Sequence, residues 1–187
     1  MKQVRADQTT QFESPWTLRE RIAMILWESA WILLCSWTPK PLNPWRLLVL
    51  RIFGAHIQGR PFVHQRARIQ IPWNLTLRHR ACLGDRATAY SLGPIEICEN
   101  ATVAQEAYLC TGTHDFTNPA MPLQIGPIKI CENAFVGARS MILPTVTVER
   151  FAVVGAQSVV TRDVPASTIV AGNPARTLAE RKQVPHD

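Results

Sequence analysis

The chain of 187 residues is 47% hydrophobic and carries a formal net charge of +6. This length suits one domain with a small appendage, and the excess positive charge fits an anionic cofactor or an anionic membrane surface. The five cysteines include no CxxC pair and no Cys/His cluster at zinc-finger spacing, so we expect neither a zinc finger nor a nucleic-acid partner. Their odd number and the lack of a secretory signal favour the reducing cytoplasm.

The N-terminal segment differs in composition from the rest of the chain. Polar residues 1–14 precede a tryptophan-rich stretch that predicts a helix, beginning near Ser14–Pro15 and stopped by Pro39. The apolar part, residues 22–37, is interrupted by Glu28 and Ser29 and is too short for a membrane span. Two interpretations stay open. The helix covers the open end of the domain that follows, or residues 15–37 rest on the surface of a bilayer.

Aliphatic residues recur at every sixth position along most of the remaining chain, and a small or β-branched residue usually follows four positions later. The main run is Ile130, Val136, Ile142, Val148, Val154 and Val160. Earlier runs are Ile97, Val103, Leu109 and Leu77, Leu83, Ala89, preceded by a less regular turn with Val63 and Ile69. An α-helix would rotate a six-residue repeat onto different faces. The pattern instead predicts short extended rungs separated by corners, three to a triangular coil, with coils stacked about 4.8 Å apart.

One eleven-residue stretch occurs twice. GPIEICENATV at 93–103 returns 33 residues later as GPIKICENAFV at 126–136. A coil of three six-residue rungs accounts for 18 residues of this interval and leaves an excursion of 15, which lies within residues 110–127. Loops that leave a rigid repeat are common places for binding and chemistry. We therefore expect the functional site at this excursion.

His114 stands where the coil breaks into its excursion, within Thr-Gly-Thr-His-Asp. A neutral histidine there can take a proton from an acceptor hydroxyl or amine. Its neighbour Asp115 either orients the ring or holds the acceptor, or it acts simply as a turn former. The other histidines do not pair with His114 at a spacing that suggests a metal, and position 119 is a proline, so we expect no metal.

Six stretches carry a resemblance to a known family. They are LRIFGAHI (50–57), IPWNLTL (71–77), AYSLGPI (89–95), AYLCTGTHDF (107–116), PIKICENAFVGARSMI (127–142) and VVGAQSVVTRDVPASTIVAGNPAR (153–176). Through them, residues from about 50 to 181 resemble the hexapeptide-repeat acyltransferases, and among these the colanic-acid-type exopolysaccharide O-acetyltransferases. The last stretch is the most specific, since its Ala-Gly-Asn-Pro-Ala-Arg is expected to leave the prism.

The resemblance implies an all-β fold, a left-handed parallel β-helix of about five coils with one excursion loop and an N-terminal helical segment. It divides the chain into three parts: an N-terminal segment 1–50, a β-helix domain 51–170 and a C-terminal segment 171–187 on the CoA side. It also implies a homotrimer in which acetyl-CoA lies in the clefts between neighbouring prisms.

The resemblance assigns roles to particular residues. His114 is implied as the general base, with Asp115 beside it, and Asn74 and Tyr90 as acceptor contacts. The positions implied to line the CoA cleft are Gly137, Ala138, Gly155, Ala156, Thr161, Arg162, Asn173, Pro174 and Arg176. Of these, Ala138 and Ala156 would pair through their backbone with the pantetheine arm, while Thr161 and the two arginines approach the nucleotide end.

We therefore expect an enzyme that moves an acetyl group from acetyl-CoA to a hydroxyl of a saccharide or a lipid-linked saccharide, in the cytoplasm or at the inner face of the plasma membrane. Two alternatives remain: acetylation of an amino-sugar nitrogen, and a catalytically silent trimeric scaffold.

Overall fold

The computed structural model of the protein describes residues 4–5 and 14–182. These residues form a parallel β-helix of about six turns that is preceded by helices. Most of the predicted polar segment 1–14, and residues 183–187 of the predicted C-terminal segment, lie outside the described residues.

The N-terminal segment contains two α-helices, α1 (Leu18–Leu34) and α2 (Asn43–Ile52), joined through a 3₁₀ turn, Lys40–Leu42. Thr17 caps α1 in a reciprocal arrangement: its backbone N–H donates to the Glu20 carboxylate at 2.8 Å, and the Glu20 N–H donates to the Thr17 hydroxyl at 3.3 Å. The sequence predicted one helical segment, whereas the structure has two, because prolines interrupt the chain between them. No helix among the described residues is long and apolar enough to cross a bilayer.

Within the described residues, twenty short strands follow one another. They are β1 (Val4–Arg5), β2 (His56–Ile57), β3 (Phe62–Val63), β4 (Arg68–Ile69), β5 (Leu75–Leu77), β6 (Cys82–Leu83), β7 (Thr88–Tyr90), β8 (Ile95–Ile97), β9 (Thr102–Val103), β10 (Tyr108–Cys110), β11 (Gly112–His114), β12 (Leu123–Ile125), β13 (Ile128–Ile130), β14 (Phe135–Val136), β15 (Met141–Ile142), β16 (Thr147–Val148), β17 (Val153–Val154), β18 (Val159–Val160), β19 (Thr168–Ala171) and β20 (Arg176–Glu180).

Three sheets form the faces of a triangular prism. The first contains β2, β5, β8, β13 and β16; the second contains β3, β6, β9, β14, β17 and β19, with β20 at its end; the third contains β4, β7, β10, β15 and β18. Pairing is parallel except between β19 and β20. The aliphatic residues at the six-residue spacing fill the interior, where the main run from Ile130 to Val160 is buried. The predicted repeat is confirmed, with one turn more than the expected five.

The doubled motif occupies adjacent turns in register. Ile97 pairs with Ile130, and Val103 pairs with Val136, so the 33-residue interval spans one turn plus the excursion. The motif copies differ at Glu96 and Lys129, which face each other across the ladder, and the lysine Nζ lies 3.2 Å from the carboxylate. A cross-strand pair of opposite charge favours this register over a slipped one.

The corners contain a non-glycine residue whose backbone lies in the left-handed region, with a positive φ. This residue comes immediately before the small or β-branched residue of the repeat. These residues are Arg80, Arg86, Asn100, Glu106, Asn133, Arg139, Thr145, Phe151, Gln157 and Ser167. The corner of the first motif copy closes with a hydrogen bond from the Ala101 N–H to the Cys98 carbonyl at 3.2 Å, and its counterpart joins Ala134 to Cys131 at 3.2 Å. A positive φ at the third residue of a turn that closes in this way is the geometry of a type II turn.

The helices close the open end of the prism with side-chain donors. Strand β4 has a neighbour on one side only, and the carbonyls along this edge accept the indole N–H groups of α1. Trp27 donates to Ile69 of β4 at 2.7 Å, and Trp31 donates to Ala67, the residue before β4, at 3.1 Å. Both indoles are buried. Unpaired strand edges need such cover. The structure therefore confirms that α1 caps the β-helix, the first of the two interpretations.

Helix α2 closes the neighbouring edge, at β3. Asn43 exchanges two hydrogen bonds with this edge, donating to the Pro61 carbonyl at 2.8 Å and accepting from the Val63 N–H at 3.0 Å. Arg46 is fully buried; its Nε donates to the Val63 carbonyl at 2.9 Å, and its terminal nitrogens reach the Thr38 hydroxyl at 2.8 Å and the Pro39 and Lys40 carbonyls at 2.9 and 3.2 Å. Burial lowers the pKa of this guanidinium, which has only neutral acceptors in these four bonds.

Candidate active site

The predicted excursion is a β-hairpin that projects from a corner of the prism. Strands β11 and β12 pair antiparallel, with His114 opposite Leu123, and β1 adds a third strand along β12. Leu123 and Ile125 pack in a second apolar cluster with Ile71 and Leu92. The base is closed by a hydrogen bond from the Gly126 N–H to the Thr111 carbonyl at 2.9 Å. The hairpin is therefore held by its own small core and provides a defined position for His114.

The imidazole of His114 is exposed, and its Nδ1 lies 2.7 Å from the Met121 carbonyl oxygen. Because a carbonyl oxygen can only accept, this contact assigns the proton of the neutral ring to Nδ1. Nε2 is then the acceptor nitrogen, and it has no partner among the residues that the structure describes. A general base needs this tautomer, with its ring fixed by one nitrogen and the other nitrogen open to the acceptor.

Asp115 has the geometry of a turn former. Its Oδ1 accepts from the Thr117 N–H at 3.0 Å and from the Thr117 hydroxyl at 2.6 Å. These bonds fix the start of the loop between β11 and β12. The contact that orients the histidine ring comes instead from the Met121 carbonyl, a partner that sequence reasoning did not find because a backbone acceptor leaves no residue-type signal.

The two predicted acceptor residues lie beside the base of the hairpin. The Asn74 amide donates to the carbonyls of Ser91 and Leu92, at 3.0 and 2.9 Å, and so joins two adjacent turns. The Tyr90 ring lies 5.9 Å from the ring of Tyr108, centroid to centroid, on the third face of the prism. Asn74 thus has a structural role in this arrangement, while Tyr90 presents part of its ring beside the hairpin.

The predicted pantetheine residues Ala138 and Ala156 and the neighbouring predicted CoA-cleft residues Gly137 and Gly155 occupy stacked corners. The Ala138 carbonyl accepts from the Gln157 N–H at 2.8 Å, while the N–H groups of Ala138 and Ala156 have no partner among residues 4–5 and 14–182. A Cβ at Gly137 would lie 2.6 Å from the backbone N of Ala156, and one at Gly155 would lie 2.8 Å from the Cβ of Ala171. Close stacking of turns is therefore sufficient to explain both glycines.

The predicted nucleotide-end residues come together at the far end of the prism. A cleft of about 260 Å³ is lined by Thr161, Arg162, Asp163, Arg176 and Thr177 among others. The chain does not leave the prism at Ala-Gly-Asn-Pro-Ala-Arg as the sequence predicted. It reverses at residues 172–175, which include a cis peptide between Asn173 and Pro174, and returns as β20 antiparallel to β19. The reversal places Arg176 beside Arg162 in the cleft lining.

The hairpin that carries His114 and the Ala138–Ala156 corners flank opposite ends of the third face. The hairpin follows β10, whereas these corners precede β15 and β18. One rung spans roughly 15–20 Å at about 3.3 Å per residue. Within one chain, His114 therefore lies a full prism face away from the predicted pantetheine groups.

The structure brings Cys98, Glu99 and Glu132 together, with one potential ligand atom of each within 4.8 Å of the others. Burial raises the pKa of the Cys98 thiol to about 12, so the thiol is protonated at neutral pH. Glu132 is exposed and Glu99 half-buried, and acidic groups at a surface commonly lie this close together without an ion. The cluster by itself is therefore not evidence of a metal centre.

A large cavity that the sequence did not predict lies beside α1. It has a volume of about 890 Å³ and is lined by residues of α1, of strand β4 with its preceding corner, and of β7 and β10. Tyr90 and Tyr108 are both in its wall. Their occurrence at neighbouring positions of successive coils was a signal in the sequence, but the covering helix is fixed only by tertiary packing.

Comparison with known proteins identifies the family. The chain is 36% identical over 160 residues to colanic acid biosynthesis acetyltransferase WcaF of Escherichia coli strain K12, covering 86% of this chain and 88% of that protein. A shorter match, 44% identical over 46 residues, covers 25% of the chain and 22% of a chloramphenicol acetyltransferase of Agrobacterium fabrum. No family model matches.

Solved structures share the fold. The hexapeptide-repeat-containing acetyltransferase VCA0836 from Vibrio cholerae, complexed with acetyl coenzyme A, superimposes with a TM-score of 0.82 at 20% identity, over 91% of this chain and 93% of that one. A galactoside acetyltransferase in complex with coenzyme A gives a TM-score of 0.79 at 18% identity, over 90% and 86% of the chains. The fold class implied by the resemblance, the left-handed β-helix, is thereby confirmed. With its coiled core, its projecting hairpin and its relationship to WcaF, the chain belongs to the hexapeptide-repeat acetyltransferases and is an acyltransferase.

Proposed function

We propose that the protein is an O-acetyltransferase that moves an acetyl group from acetyl-CoA to a sugar hydroxyl during synthesis of an exopolysaccharide or another cell-surface glycan. The observation that carries this proposal is the position of His114 on a projecting hairpin, with Nδ1 bonded to the Met121 carbonyl and Nε2 open. The relationship to a colanic acid biosynthesis acetyltransferase supports a saccharide acceptor. An amino-sugar nitrogen would use the same base.

The chemistry requires one proton acceptor. His114 Nε2 takes the proton of the acceptor hydroxyl as its oxygen attacks the thioester carbonyl, which forms the new C–O bond. Collapse of the tetrahedral intermediate breaks the C–S bond, and the imidazolium returns the proton to the CoA sulfur. Asp115 contributes by holding the turn that follows His114, through its two bonds to Thr117.

The stacked corners fit an extended thioester arm. The open N–H groups of Ala138 and Ala156 can donate to pantetheine carbonyls, and Gly137 and Gly155 keep the corners narrow. At the end of this row, Arg162 and Arg176 line the cleft of about 260 Å³ with Thr161 and are suited to the CoA phosphates. Asn173 and Pro174 form the reversal beside it and would shape the site of the adenine.

Replacing Arg162 and Arg176 together by Ala should weaken acetyl-CoA binding about 10- to 100-fold at low salt, because two charge-assisted bonds to phosphate are lost. The loss should shrink near about 1 M salt, where the Debye length is ~3 Å. Isothermal titration with acetyl-CoA at the two salt concentrations measures the loss of affinity in each. The matched control is Arg150→Ala, which removes an exposed arginine outside the cleft. Equal losses at all salt concentrations, or an equal loss in the control, would refute the phosphate assignment.

We propose a homotrimer as the active form. His114 and the pantetheine corners lie at opposite ends of one face of the prism in a single chain. A threefold arrangement can bring the hairpin of one protomer against the corners of the next, which would complete three equivalent sites.

We also propose that α1 contacts the inner face of the plasma membrane. Its inner side packs on the β-helix, but its outer side is apolar: Leu18, Ile25 and Leu33 are 69%, 64% and 70% exposed. Arg19 and Arg21 flank this stripe near the start of the helix. An exposed apolar surface with basic neighbours suits the headgroup region of an anionic bilayer.

The double variant Ile25→Glu/Leu33→Glu should lose about tenfold or more of the binding to phosphatidylcholine vesicles that contain about one third phosphatidylglycerol. Co-sedimentation is the measurement, and Leu178→Glu, which alters an equally exposed residue on β20, is the control. Unchanged vesicle binding, combined with a smaller assembly in sedimentation, would instead assign this surface to contacts between protomers.

A further inference from the structure

The cavity beside α1 has the size of a ligand site. Its volume of about 890 Å³ lies between α1 and the outer face of β4, β7 and β10. Pockets of roughly 300–1,000 Å³ are typical of sites for small organic ligands. It is separate from the cleft lined by Arg162 and Arg176, at the other end of the prism.

The two walls of the cavity differ in chemistry. The helix wall is mainly apolar and includes Met24, Trp27 and Ile32, whereas the sheet wall includes Thr88 and the two tyrosines. On the helix wall, the indole N–H groups of Trp27 and Trp31 are already bonded to carbonyls of the β-helix, so these two rings present apolar surface to the cavity. A ligand that fills the cavity must therefore be amphipathic, with a hydrocarbon part against the helix and hydroxyl groups against the sheet.

The charges favour an anion. Arg21 and Arg68 line the cavity, and Glu28 is the acidic residue of the lining. A third arginine of the lining, Arg66, is paired with Asp85. Arg21 and Arg68 form no ion pair among the described residues, and together they carry one more charge than Glu28 offsets. The cavity is therefore a positive site suited to phosphate.

The cavity adjoins the catalytic hairpin. Trp16 and Met24, both in its lining, pack on the apolar cluster that contains Leu123 and Ile125 of β12. Leu123 is the backbone partner of His114. A ligand in the cavity therefore lies against the element that positions the general base.

We propose that this cavity binds the acceptor as a saccharide carried on a lipid phosphate. The hydrocarbon chain lies along α1, the phosphate lies between Arg21 and Arg68, and the first sugar lies on Tyr90 and Tyr108 and points toward the hairpin. This assignment rests on the proposed acetyl transfer. A nucleoside diphosphate sugar is the competing carrier, but the long apolar wall of α1 provides a surface for a lipid and has no counterpart in a nucleotide.

Isothermal titration with three soluble diphosphates distinguishes the carriers: farnesyl diphosphate, uridine diphosphate and inorganic diphosphate. The wild-type protein should bind farnesyl diphosphate at least about tenfold more tightly than the other two. The double variant Arg21→Gln/Arg68→Gln should lose about tenfold or more of this affinity, while Arg150→Gln, outside the cavity, should retain it. Acetyl-CoA is titrated into the same preparations and should bind the wild type and both variants equally.

Equal binding of uridine diphosphate would overturn the lipid carrier. Absence of farnesyl diphosphate binding, or its persistence in the double variant, would overturn the site itself while acetyl-CoA binding stands. If the wild-type protein does not bind acetyl-CoA, the proposed acetyl transfer itself is refuted. Failure of the lipid site and failure of the acetyl transfer are therefore distinguishable.

Discussion

His114→Ala should lower the rate of acetyl transfer by about 10²- to 10⁴-fold, because the substitution removes the proposed acceptor for the proton of the attacking hydroxyl. The variant should retain its oligomeric mass and its affinity for acetyl-CoA, since the exposed ring makes one hydrogen bond, to the Met121 carbonyl. The rate of CoA release with a glycan acceptor, measured beside acetyl-CoA titration and sedimentation, checks all three quantities.

His56→Ala is the matched control, because it removes an exposed imidazole from β2, in the first turn of the β-helix and outside the hairpin. Turnover of the His114 variant at the wild-type rate would contradict the proposed base.

Asp115→Asn separates the two roles considered for that residue. If Asp115 only accepts the bonds from Thr117, the amide substitutes with little change in rate; if its charge orients the ring, the rate falls and its pH profile shifts.

Arg46→Ala should lower the free energy of unfolding by about 3–5 kcal/mol. The substitution leaves the Val63, Pro39 and Lys40 carbonyls and the Thr38 hydroxyl without their donor, and each buried unsatisfied group costs about 1–3 kcal/mol, reduced where water enters the space. Urea denaturation at fixed protein concentration measures this change.

Arg51→Ala provides the comparison for Arg46, because Arg51 lies on the same helix but is exposed. Its effect should stay within about 0.5 kcal/mol. If the two variants unfold at the same urea concentration, the closure of the prism by Arg46 does not stabilise the fold.

The candidate site illustrates which features a sequence encodes and which it leaves ambiguous. The interval between the two copies of the eleven-residue motif located the excursion, because pairing in register adds a whole number of coils. The histidine in the excursion followed as the candidate base. The sequence could not give its tautomer, since the Met121 carbonyl lies seven residues away across a turn. Gly137 and Gly155 remain ambiguous, because close stacking of turns requires glycine whether or not a cofactor binds there.

The sequence by itself determined the β-helix. Each inward aliphatic residue pairs with its counterpart one coil further on, as Ile142 does with Val160, 18 residues later. Because each coil has three equivalent rungs, this stacking appears as a six-residue period that one sequence displays. Only the tertiary structure decided how the open end of the prism is closed and where the cavity beside α1 lies. Trp27 reaches the Ile69 carbonyl across 42 residues, and Arg46 reaches the Val63 carbonyl across 17, through individual contacts that do not follow the six-residue spacing. The reversal after Ala171 and the space beneath α1 depend likewise on how unique segments pack against a regular surface. A repeated contact leaves a period in the sequence, whereas a contact made once does not.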